Sequence, residues 1–251
     1  MKRVKVLTNK GFTLAEILIT LTIVAVLAIL TIPTIISNST ERAAVSQLKK
    51  VYSTLSQAYT LAVQENGTPD NWGLVADGSN AGAKTMLSYL APYLSVSKDC
   101  TDGSQGCFPP GVNYMWLATS LGGSGVFDTS VAPKLKLADG TLLFGIIQSS
   151  NCSLPCGNSL ELQNVCGRYW VDINGYKGPN QWGKDFFNFW LTKYGIVPVG
   201  SAQDTDYTFA VECKDKNTMR GVGCAAWVLY NENMDYLHCN NLDWTGPTKC
   251  P

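Results

Sequence analysis

Histidine, charge and early cysteine are what this 251-residue sequence has least of. His238 is its one histidine, which excludes multi-histidine metal centres and argues against a hydrolase triad. No G-x-S-x-G elbow, Walker loop or C-x-x-C pair occurs; Cys152 and Cys156, with three residues between them, come nearest to a zinc knuckle. Gly221 and Gly223 with Ala226 imitate a fragment of a dinucleotide fingerprint, but no βαβ order surrounds them. The carboxylates Asp204 and Asp206 read as solvated rather than catalytic, and the seven tryptophans as core. The chain is therefore read as no enzyme. Only 15% of residues are charged, which suits an extracytoplasmic surface.

The charge that exists is unevenly placed. The first eleven residues hold Lys2, Arg3, Lys5 and Lys10 and no acid. Nineteen basic residues less these four leaves 15 against 19 acidic, a net of −4. A mildly acidic body is a poor partner for nucleic acid, whose binding rests on neutralising phosphates. Cysteine is equally polarised. All nine lie between Cys100 and Cys250, as expected if only that part meets an oxidising compartment and forms disulfides. Nine is odd, so one thiol is free or pairs between chains. The connectivity does not follow from the sequence, although 100–107 and 239–250 each frame a turn-rich loop suited to closure.

What the sequence has in abundance begins at Phe12. From 12 to 36 it carries a single ionisable group, Glu16. About 20 apolar residues suffice to cross a bilayer as one helix, and the basic leader holds its side in the cytoplasm. A cleaved secretory signal is the alternative, but Ala25 and Ala28 make a poor cleavage site and the apolar run continues past them. Glu16 is the anomaly, because a carboxylate at mid-span costs about 2.5–3.5 kcal/mol on insertion scales and less near an end.

Lys10-Gly11-Phe12-Thr13-Leu14-Ala15-Glu16 and the apolar run behind it resemble the N-terminal signal of type IV pilins and type II secretion pseudopilins. The resemblance implies cleavage between Gly11 and Phe12 by prepilin peptidase and N-methylation of Phe12. It implies Glu16 as the residue that sets subunit register, and Pro33 as a helix kink. It also implies an inner-membrane assembly platform with its ATPase, and a filament of like or unlike pilin subunits as partners. The fold so implied is α+β: a long N-terminal helix, membrane-spanning in its first half, packed on an antiparallel β-sheet with disulfide-rich loops.

Beyond the span, residues 41–64 repeat apolar side chains every three or four positions: Ala44, Leu48, Val51, Tyr52, Leu55, Ala58, Tyr59 and Ala62. That spacing predicts an amphipathic helix, stopped by Asn66, Gly67 and Pro69. A short helix is predicted over 85–94, strands over 112–118 and 168–173, and a hairpin over 135–147 around Asp139 and Gly140. A strand of alternating burial is predicted over 186–191, and a short helix or strand over 221–230. The D-x-N-G segment at Asp172 reads as a tight turn between strands. It also begins like a calcium loop, so a Ca²⁺ site at Asp172, Asn174 or Asp185 stands beside that reading, without the acidic spacing or terminal glutamate of an EF-hand.

Residues 1–11 are thus read as a leader, 12–66 as a long helix with 12–36 transmembrane, and 67–251 as an extracytoplasmic head. The chain is expected in the bacterial inner membrane, N-terminus inside, as a structural filament subunit without cofactor. A single-pass anchored adhesin and a DNA-uptake minor pilin are the competing binding-module readings.

Overall fold

The predicted stripe at 41–64 is the organising feature of the computed structural model. The structure describes residues 12–76, 80–123, 125–128, 130–215, 217 and 220–251, with the side chains at 33–36 and 38 also left aside. Helix α1 runs Leu14–Asn66, continuing through position 33. It ends where the sequence predicts: Gly67 takes φ +77°, and its N–H bonds the Val63 carbonyl at 2.9 Å. A side chain there would be held in the left-handed region, which favours glycine. The chain divides into two compact units, Met1–Thr40 and Glu41–Pro251. The second half of α1 is therefore part of the head's own core.

Six strands form one antiparallel meander in sequence order: β1 Val96–Cys100, β2 Lys134–Leu137, β3 Leu142–Ile147, β4 Val165–Asp172, β5 Phe186–Thr192 and β6 Gly195–Pro198. Helix α2 (Asn80–Leu90) precedes β1; the short helices α3 (Phe209–Glu212) and α4 (Ala225–Asn231) follow β6. Alternate side chains of a strand point to opposite faces, and here both faces are covered. On one face Tyr169, Val171, Phe187, Phe189 and Leu191 join Leu48, Leu55 and Ala58 of α1 in a single core. Tyr52 stacks on Phe189 at 5.9 Å between centroids and 10° between planes, and the Tyr59 hydroxyl donates to the Lys193 carbonyl at 2.7 Å. On the other face Leu142, Phe144, Phe186 and Trp190 form a second core with Phe108, Tyr114 and Trp182 from the connecting loops.

This second layer corrects the expected pattern of β5, in which every residue is buried. The 112–118 strand is also absent: only isolated bridges from Met115 to Gly123 and Gln181 occur there. Helix α2 begins at Asn80, five residues before the predicted start, and the late segment is helical as α4. The hairpin is found with Gly140 at φ +95°.

Four disulfides staple the loops: Cys100–Cys107, Cys152–Cys166, Cys213–Cys224 and Cys239–Cys250. The odd thiol is Cys156, which is buried. Burial and the nearby Asp206 push it up to about 12, so it is an inert core thiol. With Cys152 in a disulfide, the knuckle-like pair holds no zinc geometry. Asp204 is likewise not solvated: it is 4% exposed and accepts bonds from the Trp190 indole at 2.8 Å, Gly200 N at 3.0 Å and Tyr207 N at 2.9 Å. It pins the loop after β6 beneath the second core, and burial raises its carboxyl above the usual range.

Candidate processing and assembly site

The N-terminal segment is apolar, helical and exposed along its length. Leu14–Ile32 is a 19-residue stretch with mean hydropathy 2.5 and none of it buried. At 1.5 Å per residue it covers about 28 Å, close to the thickness of a bilayer's hydrocarbon core. The threonines within it satisfy themselves. Thr20, Thr22 and Thr31 donate their hydroxyls to the carbonyls of Ile17, Leu18 and Leu27 at 2.8–3.0 Å, as a helix facing lipid requires.

Glu16 lies in the first turn. Its Oε2 accepts the Thr13 N–H and the Thr13 hydroxyl, each at 2.8 Å. Thr13 Oγ1 accepts the Glu16 N–H at 3.2 Å, and the Thr13 carbonyl accepts the N–H of Ile17 at 3.2 Å. This is a reciprocal capping box, and it ties the carboxylate to the helix start. Thr13 is the partner that the sequence reading passed over, although a threonine three residues before a glutamate at a helix start is a legible signal. Phe12 precedes the cap and is 83% exposed. Gly11 and the leader lie outside the described residues.

The second candidate, the turn between β4 and β5, is closed on itself. Asp172 Oδ1 accepts the N–H groups of Asn174 (3.1 Å) and Gly175 (2.8 Å), and Oδ2 accepts the Tyr114 hydroxyl at 2.5 Å. Asp185 accepts from Asn180 N, Gln181 N and the Asn174 amide. Gly175 sits at φ +69° with the Gly140 carbonyl 2.3 Å from where a Cβ would stand, so the turn packs on the β2–β3 hairpin. Both acids are committed to holding the turn, and among the described residues no group of three His, Cys, Asp or Glu side chains converges.

Burial pushes Asp172 up to about 7, with the neighbouring Asp185 adding to the rise and the Tyr114 bond opposing it. A carboxyl whose folded value exceeds its unfolded value near 3.9 contributes stability that is complete below about pH 4. That contribution is lost as pH rises through about 7. Asp185 is raised for the same reason. The head is expected to be more stable at pH 5 than at pH 8, and Asp172→Asn should shrink that difference by about 1–3 kcal/mol. Urea midpoints at the two pH values check this; an unchanged difference in the variant contradicts it.

His238 bridges to Glu41 at 3.0 Å. Lys49 pairs with Glu232 at 2.6 Å and Lys50 with Asp139 at 2.8 Å. These contacts link α1 within the head to the loops beside it, and solvent screens the exposed lysine pairs.

Residues 7–32 match the model of the prokaryotic N-terminal methylation motif. Residues 34–106, from the middle of α1 through the Cys100 loop, match a family of unknown function (DUF6613). No curated protein matches the chain, and no solved structure does. The motif coincides with the exposed apolar helix and its capped glutamate, so the chain carries the prepilin-type N-terminal signal found in type IV pilins and pseudopilins.

Proposed function

We propose that the chain is a structural subunit of a type IV pilus-like or type II secretion filament. The observation that carries this reading is the continuity of the methylation motif at 7–32 with a capped, fully exposed apolar helix. In this reading prepilin peptidase cuts between Gly11 and Phe12, and the new Phe12 amine is methylated. Before assembly Leu14–Ile32 anchors the subunit in the inner membrane. The basic leader faces the cytoplasm, and the disulfide-bearing head faces the oxidising periplasm.

An assembly platform then extracts the subunit and the apolar helices bundle. Within that bundle the Glu16 carboxylate needs a positive partner, because an unpaired charge in a dry core is strongly unfavourable. The ammonium of a neighbour's Phe12 supplies it only at one register. Both capping bonds fall on Oε2, so the geometry is compatible with a further bond at Oε1. Pro33 lacks an N–H for the helix ladder, and a bend there lets the anchored and head-bound halves of α1 adjust to a filament.

Expression with and without a prepilin peptidase tests the first step. The wild-type chain should be shortened by its leader only when the peptidase is present, and Gly11→Val should stay full length in both. An unshortened wild-type chain beside active peptidase contradicts the reading.

A further inference from the structure

We propose that the groove between α1 and the sheet-edge strand β6 binds a neutral oligosaccharide. This goes beyond the filament reading and does not rest on it. The groove has a volume of about 760 Å³, within the range of ligand clefts, and lies wholly in the head. Its floor is the edge strand Gly195–Pro198, where the Tyr52 hydroxyl reaches the Ile196 carbonyl at 3.3 Å.

Aromatic rings line it. Tyr194 and Tyr230 expose 48% and 63% of their surfaces. Trp244 stands edge-on to Tyr230 at 6.1 Å and is anchored by its indole N–H on the Gly200 carbonyl at 3.2 Å. Two rings stand open to solvent, and the half-buried Trp244, packed on Phe209 and Trp227 of the core, backs them as a fixed platform. Between the rings the lining combines apolar side chains (Ile196, Val197, Pro198 and Ala202) with hydroxyl and amide groups, including Ser201 and Gln203, and one acid, Glu161. Among the described lining residues there is no lysine or arginine.

That composition selects the ligand class. An anion would find no counter-charge and would meet Glu161. A wholly apolar ligand would strip water from Ser201 and Gln203 without replacing their hydrogen bonds. A sugar ring satisfies both halves: its C–H face lies on the negative face of an aromatic ring, and its hydroxyls exchange bonds with serine, amide and carboxylate.

The full chain in a detergent without a sugar headgroup is titrated with cello-, chito-, malto- and mannotetraose, following tryptophan fluorescence. At least one saturates, and Tyr194→Ala and Tyr230→Ala each weaken it about tenfold or more with the thermal midpoint unchanged. Failure of every sugar to saturate, or full affinity in both variants, overturns the proposal. Saturable binding of choline in place of sugar assigns the rings to a cation and overturns it. Sugar-independent self-association that Tyr230→Ala abolishes assigns the groove to a second copy of the chain and overturns it as well.

Discussion

Glu16→Gln should insert in the membrane and be processed like the wild type, yet add to filaments with an equilibrium constant lower by about two to four orders of magnitude. The substitution separates the capping bonds that Glu16 makes to Thr13 from the register role proposed for its charge. Glutamine keeps an oxygen that can accept the Thr13 N–H and hydroxyl, so the capping box survives and α1 still starts at Leu14. What disappears is the charge. Breaking an ion pair in a dry environment by removing one partner costs about 3–5 kcal/mol, and each 1.4 kcal/mol is tenfold in an equilibrium. Thr13→Ala is the complementary variant. It removes the hydroxyl side of the cap and leaves the charge, costing about 0.5–2 kcal/mol of helix stability and little assembly. Sheared-filament yield at matched membrane levels reads both variants. Normal yield from Glu16→Gln contradicts a register role for the charge.

Phe189→Ala should destabilise the head by about 3–5 kcal/mol, the range for deleting a buried aromatic ring. Phe189 is fully buried at the centre of β5 and carries the stacking contact with Tyr52, where α1 meets the sheet. Its loss leaves a cavity between the two layers, which the disulfides do not fill, because all four join loop and strand positions outside α1. For a domain of this size the midpoint should fall by roughly 6–20 °C. Leu160→Ala, at a side chain 62% exposed, is the control and should shift stability by about 0.5 kcal/mol or less. A loss under about 1 kcal/mol at Phe189 contradicts the packing of the helix as the main support of the sheet.

The parts of this architecture that were legible in the sequence are those written in consecutive residues. The N-terminal signal is one unbroken segment, and its composition alone states length, polarity and the misplaced carboxylate. The buried side of α1 follows from a 3.6-residue stripe, and Gly67 marks its end. The β2–β3 hairpin follows from Asp139 and Gly140. What was not legible depends on partners distant in sequence. Strand β5 looks half-buried by itself and is fully buried because Phe108, Tyr114, Ala132, Trp182 and Val199 from the connecting loops close its second face. Strand β6 is four residues long and owes its existence to pairing with β5. Asp204 reads as a surface acid until the Trp190 indole is seen to donate to it. Met115 takes up isolated bridges instead of a strand, since neighbouring loop segments capture its backbone groups. The sugar-binding groove is assembled from residues as far apart as Tyr52 and Trp244, with no local pattern to announce it.

The amino acid at the start of the mature protein tests the central claim most directly. Tandem mass spectrometry of the N-terminal peptide, taken from membranes of cells with an active prepilin peptidase, reads it together with its modification. A peptide beginning at N-methylated Phe12 is the predicted result. A chain that keeps Met1 and the basic leader, while sitting in the membrane with its head oxidised, would contradict the account and make the protein an uncut anchored module.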